Sequence, residues 1–147
     1  MVGLPDVNVL IALAWPTHVH HQQARRWFAA GSPSGWATCP FTQAGFVRIS
    51  SNPKIIADAV TPREALALLG QLLRIGKHEF WPDDLDFTSD PDIPVSLLMG
   101  HRQVTDAYLL GLAIHRGGRL VTLDQSVSDL LPSASEHRRA VELIPLG

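Results

Sequence analysis

The sequence predicts an α/β fold with a mainly parallel sheet of about four to five short strands flanked by helices. Two observations lead there. Short apolar segments of strand length alternate with longer helix-type segments along the whole chain, an order that stacks helices on a parallel sheet. No repeat of fixed period occurs, and no linker is long enough to split 147 residues, so one domain is expected over 1–147.

Gly3 to Asp6 reads as the first strand, with Pro5 acceptable only near a strand end or edge. Val7 to Trp15 is an apolar helix that Pro16 stops. Thr17 is a candidate cap for a second helix running to about Ala30, with Val19, Ala24, Trp27 and Phe28 inward. The Gly-Ser-Pro-Ser-Gly run from Gly31 is a turn, Trp36 to Cys39 a second strand, and Pro40 begins the approach to a third helix ending near Ser51. Thr61-Pro62-Arg63-Glu64 has the form of a capping box and opens a strongly periodic helix. His78 to Pro82 is a brief third strand. Asp83 to Pro94, with five aspartates, reads as a solvated loop with nothing to fix its geometry. Arg102 to His115 is a helix ended by Gly117-Gly118, Arg119 to Leu123 a fourth strand, Ser126 to Leu131 a short helix, and Val141 to Pro145 a last strand.

Composition narrows the function classes. Net charge is −2, so the chain as a whole is not a basic nucleic-acid binder, although twelve basic residues remain for phosphate contacts. The lone Cys39 excludes an intrachain disulfide and fits a reducing compartment. Val9 to Trp15 is too short to span a bilayer and lacks a basic leader, so no membrane association and a cytoplasmic location are expected.

The acids carry the chemical signal. In open parallel sheets, ligands bind beyond the carboxyl ends of the strands. Asp6 ends the first strand, Asp124 follows the fourth, and Asp106 opens the helix before that strand. Carboxylates gathered at one sheet edge repel one another unless a cation lies between them, and hard divalent cations favour such oxygens. Each acid also has an ordinary use: Asp6 or Asn8 as a helix cap, Asp106 against a helix dipole, and Asp124 at a turn.

Taken together, the segments resemble a known family. Pro5–Leu13 (PDVNVLIAL) is similar to the opening of PIN domains, a strand followed by Asp-x-Asn and an apolar helix. Val104–Asp124 (VTDAYLLGLAIHRGGRLVTLD) resembles the Asp-Ala helix, strand and Thr-x-Asp of VapC toxins, and Ala37–Ser50 resembles their middle segment. The resemblance implies a three-layer α/β/α PIN domain that hydrolyses RNA with Mg²⁺ or Mn²⁺. It implies Asp6, Asp106 and Asp124 as catalytic metal-binding acids, with Asn8 and Thr122 in support. It also implies a VapB-type antitoxin and a homodimer. The family usually carries a Glu where this chain has Gln43; as a cofactor-binding candidate its amide can still offer a carbonyl oxygen, but it supplies no charge and takes no proton from water. An impaired PIN domain acting by binding RNA or antitoxin is therefore the alternative.

Other features point less far. His18, His20 and His21 have no Cys or His pair at zinc spacing elsewhere and are assigned to helix-start packing or solvent. His101, Arg102 and Arg48 are candidate phosphate contacts. The helix from Glu64 to Ile75 is apolar on more than one face, open to core burial or to a partner contact. Asp6-Val7-Asn8 is also compatible with a haloacid-dehalogenase-type phosphatase opening, but Asn8 cannot act as the general acid which that chemistry needs.

Overall fold

The computed structural model describes residues 1–146. Five strands form one parallel sheet: β1 (Gly3–Pro5), β2 (Trp36–Thr38), β3 (His78–Phe80), β4 (Arg119–Thr122) and β5 (Val141–Leu143). Their order across the sheet is β3-β2-β1-β4-β5. The chain builds outward from β1 through β2 to β3, then crosses back to place β4 on the other side of β1. The topological switch therefore falls between β1 and β4, where open parallel sheets form their crevice. The register pairs Pro5 with Val121, so the residues following each strand leave the sheet side by side.

Helices cover both faces. α1 (Val7–Ala14), α2 (His21–Gly31), α3 (Pro40–Ser50) and α4 (Pro62–Leu72) share one core with Trp36. α5 (Val104–His115) packs with Leu4, Ala37 and Leu120 in the other core. Trp36 and Ala37 are successive residues buried in opposite cores, as the two-residue period of a strand requires. The result is the expected α/β/α arrangement. Among the described residues no helix is long and apolar enough to cross a membrane.

Local signals set most element ends. Thr61 and Glu64 form the capping box at α4, each side chain accepting from the other's backbone N–H. Gly117, at φ +69°, follows the end of α5 in the left-handed conformation that glycine adopts without strain. Gly111 serves a different need: a Cβ there would lie 2.7 Å from Ile93 Cα, because the segment after β3 crosses α5 in direct contact.

Two expectations are corrected. α2 begins at His21, three residues later than the Thr17 cap implies. Residues 16–20 instead form turns, with His18 N–H bonded to Trp15 O and His21 N–H to His18 O. Val19, assigned inward, is 80% exposed. The aspartates of the 83–94 segment are also held. Asp83 accepts from Phe41 N–H and Tyr108 Oη, Asp84 pairs with Arg116 at 2.7 Å, and Asp92 meets His115 at 3.2 Å. Asp86 and Asp90 accept from Thr88 and Asp92 in local turns. The tertiary partners come from α3 and α5, whose proximity a linear reading of an acidic run does not show.

Candidate active site

Asp6 stands at the switch point. Its backbone N–H donates to Val121 O at 2.9 Å, continuing the β1–β4 ladder by one residue. Its side chain then caps α1, Oδ1 accepting from Val9 N–H at 2.9 Å, while Oδ2 accepts from Thr122 Oγ1 at 2.7 Å. The carboxyl is only 7% exposed, and burial pushes its pKa up to about 6. The two hydrogen bonds oppose that rise, and Asp106 and Asp124 add to it.

Thr122, fully buried at the end of β4, has two tasks. Its hydroxyl donates to Asp6 and accepts from Asp124 N–H at 3.0 Å, tying the backbone after β4 to the carboxylate after β1. Asp124 is exposed and caps a 3₁₀ turn, Gln125–Leu130, with Oδ1 accepting from Ser126 N–H and Oγ. Asp106 lies in the first turn of α5, half-buried, its pKa raised to about 6 by burial and then by Asp124. The ordinary uses of these acids and their juxtaposition coexist: each carboxylate oxygen has two lone pairs, so an oxygen that accepts one hydrogen bond keeps a second lone pair for a cation.

None of the three salt bridges among the described residues involves these acids. Hard oxygen donors, two of them unusually reluctant to ionise, therefore share one sheet edge without a cationic side-chain partner. That donor set fits a divalent cation.

Asp6 and Asp124 line a cavity of about 450 Å³ together with Asn8, His18, Val19, His20 and Leu123. Asn8, exposed in the first turn of α1, adds a solvent-facing amide. Gln43 is not in this lining. Its amide donates to Thr38 Oγ1 at 3.0 Å, and Thr38 also contacts His78 Nε2 at 2.8 Å. Thr38 ends β2, beside β1, so Gln43 is anchored at the same carboxyl edge of the sheet.

The wall formed by His18 and His20 escaped the sequence reading, which assigned these residues to packing or solvent. The usable signal was the Pro16-Thr17 break, which stops α1 and lets the following turn fold back over the sheet edge. His21 does have a structural role, its Nδ1 donating to Ala12 O at 2.7 Å. Burial, with His20 and His21 nearby, holds His18 below the usual histidine pKa.

A second group could hold a cation. Asp90, Asp92 and His115 bring their ligand atoms within 4.8 Å of one another, a spacing that Asp6, Asp106 and Asp124 do not reach. His115 is nine residues beyond Asp106 on α5, about 13 Å along the helix axis. The phosphate-contact candidates Arg48, His101 and Arg102 are exposed and line neither this group nor the cavity.

A family model described as the PIN domain matches residues 4–130. The chain is 47% identical to Ribonuclease VapC38 of Mycobacterium tuberculosis over 145 residues, covering 99% of each chain. It is 48% identical to Ribonuclease VapC39 of the same organism over 129 residues, 88% of this chain and 93% of that one. Ribonuclease VapC44 of that organism is 40% identical over 141 residues, 95% of this chain and 99% of its own. With the domain match over residues 4–130 and identity along nearly the full length, the chain, a five-stranded parallel α/β sheet protein, belongs to the PIN-domain family and, within it, to the VapC ribonucleases.

Proposed function

We propose that this chain is a metal-dependent endoribonuclease toxin, working as one PIN domain across its whole length. The observation that carries the reading is the gathering of Asp6, Asp106 and Asp124 at the β1–β4 switch point without a cationic partner. In this reading the three acids hold Mg²⁺ or Mn²⁺, which when bound supplies charge neutralisation at the phosphodiester and a more acidic water. Thr122 keeps Asp6 oriented through its hydroxyl, and Asn8 offers an amide to the substrate. Burial gives Asp6 a fixed rotamer and raises the cost of its charge, so cation binding is favoured over leaving the carboxylate bare.

The test is RNA cleavage with Mn²⁺ by the wild type, Asp6→Asn and Asp124→Asn, with EDTA as control. Loss of cleavage in EDTA and in both variants, with unfolding still cooperative, is the expected outcome. Full cleavage in EDTA, or by the double variant, would overturn the reading. A binding-only role is the second reading. Gln43 favours it, because its amide sits at the same sheet edge where a carboxylate would add charge. RNA retention without cleavage at saturating Mn²⁺ would select it.

A VapB-type antitoxin and a homodimer belong to the same proposal. A second cavity of about 780 Å³ runs between α1, α2 and the end of α4, lined by Leu13, Phe28, Leu72 and Ile75 and edged by Arg25 and Arg26. Its apolar floor and basic rim suit an acidic, amphipathic antitoxin segment. Leu66, 57% exposed on α4, offers further apolar surface for a second copy. Co-purification with the protein encoded beside it tests the first, and light scattering tests the dimer; a strict monomer at high concentration would exclude it.

A further inference from the structure

The acidic edge poses a problem for an RNA strand: a phosphodiester must approach carboxylates, yet no Lys or Arg lines their cavity. A cationic side chain there would pair with the acids and compete with a bound cation. A neutral N–H donor avoids that conflict, and the cavity contains one whose proton position follows from the hydrogen bonding. His20 N–H, which can only donate, points at His18 Nδ1 at 3.0 Å. Nδ1 therefore carries the lone pair, and a neutral imidazole places its proton on Nε2. In that tautomer Nε2 has no lone pair for a metal, and Nε2–H is the ring's remaining polar group.

His20 lies beside it on the same wall, with ring centroids 5.8 Å apart and planes tilted by 51°. Between them Val19 is 80% exposed, an unusual position for a β-branched apolar side chain on a cavity rim. Imidazole faces are among the surfaces on which splayed single-stranded bases stack, and an exposed apolar side chain beside them loses water when a base covers it.

We propose that the His18–Val19–His20 turn is the substrate-holding wall of this site, with His18 Nε2–H donating to a phosphodiester oxygen of single-stranded RNA. The flanking base lies against Val19 and the His20 ring. His18 is a binding residue in this scheme, and neither imidazole ligates metal or transfers a proton. This inference rests on the endoribonuclease reading above and adds the course of the substrate path: the strand passes over the turn between α1 and α2 beside Asp6 and Asp124.

His18→Asn separates the donor from the turn. An asparagine Oδ1 accepts the N–H two residues on in an Asx-type turn, so the bond from His20 survives while the Nε2–H is lost. The measurements are fluorescence anisotropy of a short labelled single-stranded RNA of mixed sequence, with Ca²⁺ in place of Mn²⁺ to slow cleavage, and steady-state cleavage with Mn²⁺. Loss of one hydrogen bond to a charged oxygen is expected to weaken binding, and to raise KM, about tenfold with kcat little changed. Mn²⁺ affinity by calorimetry and the thermal unfolding midpoint should match the wild type. His18→Gln, whose amide reaches the Nε2 position, should recover part of the binding. Wild-type RNA affinity in His18→Asn would overturn the proposal, as would a loss confined to kcat or to Mn²⁺ affinity. If the wild type binds RNA without cutting it, the nuclease reading falls while the Asn and Gln comparison still decides the wall. If the wild type binds no RNA, both fall.

Discussion

Asp6→Asn should make the metal-free protein more stable while abolishing its response to metal. Asp6 titrates at about 6 in the folded chain instead of its ordinary 3.8. That difference disfavours the charged form by about 3 kcal/mol. Asparagine fills the same volume, still accepts from Val9 N–H as a good cap, and can donate to the Thr122 hydroxyl once that group turns. Losing the charge-assisted strength of those bonds removes about 1 kcal/mol. A net gain of about 2 kcal/mol remains at about pH 8, or roughly 4–8 °C in a domain of this size. The sign depends on pH. Because the folded value lies above the unfolded one, the contribution of Asp6 to stability is complete below about pH 4 and is lost as pH rises through about 6. Asp106 shifts in the same direction, with a smaller effect because it is partly solvated. Thermal unfolding in EDTA should therefore show wild-type stability falling across that window, and Asp6→Asn falling less. Added Mn²⁺ should raise the wild-type midpoint and leave that of the variant unchanged. A variant no more stable than the wild type at pH 8, or one stabilised equally at pH 4, would refute the reasoning.

Three further outcomes are expected. Gln43→Glu should tighten Mn²⁺ binding about tenfold and raise the cleavage rate, since a charge attracts the cation where an amide does not; the Thr38 hydroxyl must then turn to donate, and metal-free stability should drop. Equal Mn²⁺ affinity by calorimetry and equal cleavage would place residue 43 outside the site. Thr122→Val removes the donor to Asp6 and the acceptor for Asp124 N–H, and denaturant titration should show a loss of about 1–3 kcal/mol together with weaker Mn²⁺ binding. Gly111→Ala forces its Cβ against Ile93 and should cost about 1–3 kcal/mol in the same assay, without changing the metal affinity of the folded fraction.

What the sequence determined by itself was mostly local. Alternating apolar segments, the Thr61–Glu64 capping box, Pro16 after the first helix and Gly117 after α5 act within a few residues, so strands, helices and fold class were readable from them. The acids at strand and helix ends were readable for the same reason, since Asp6 caps the helix that follows its own strand. Tertiary structure decided everything that depends on which distant segments become neighbours. The placement of β4 beside β1, opposite to β2, creates the switch point and brings Thr122 to Asp6 across 116 positions of sequence. The same kind of long-range contact tied Asp84 to Arg116 in a segment that reads as free loop, and bound Gln43 to Thr38. It also folded His18 and His20 over the acidic edge, because a turn's direction follows from the packing of the helices it joins and not from the histidines themselves. Short-range hydrogen bonding writes its pattern into adjacent residues; crossover order and burial are properties of the whole packed chain, and no single segment encodes them.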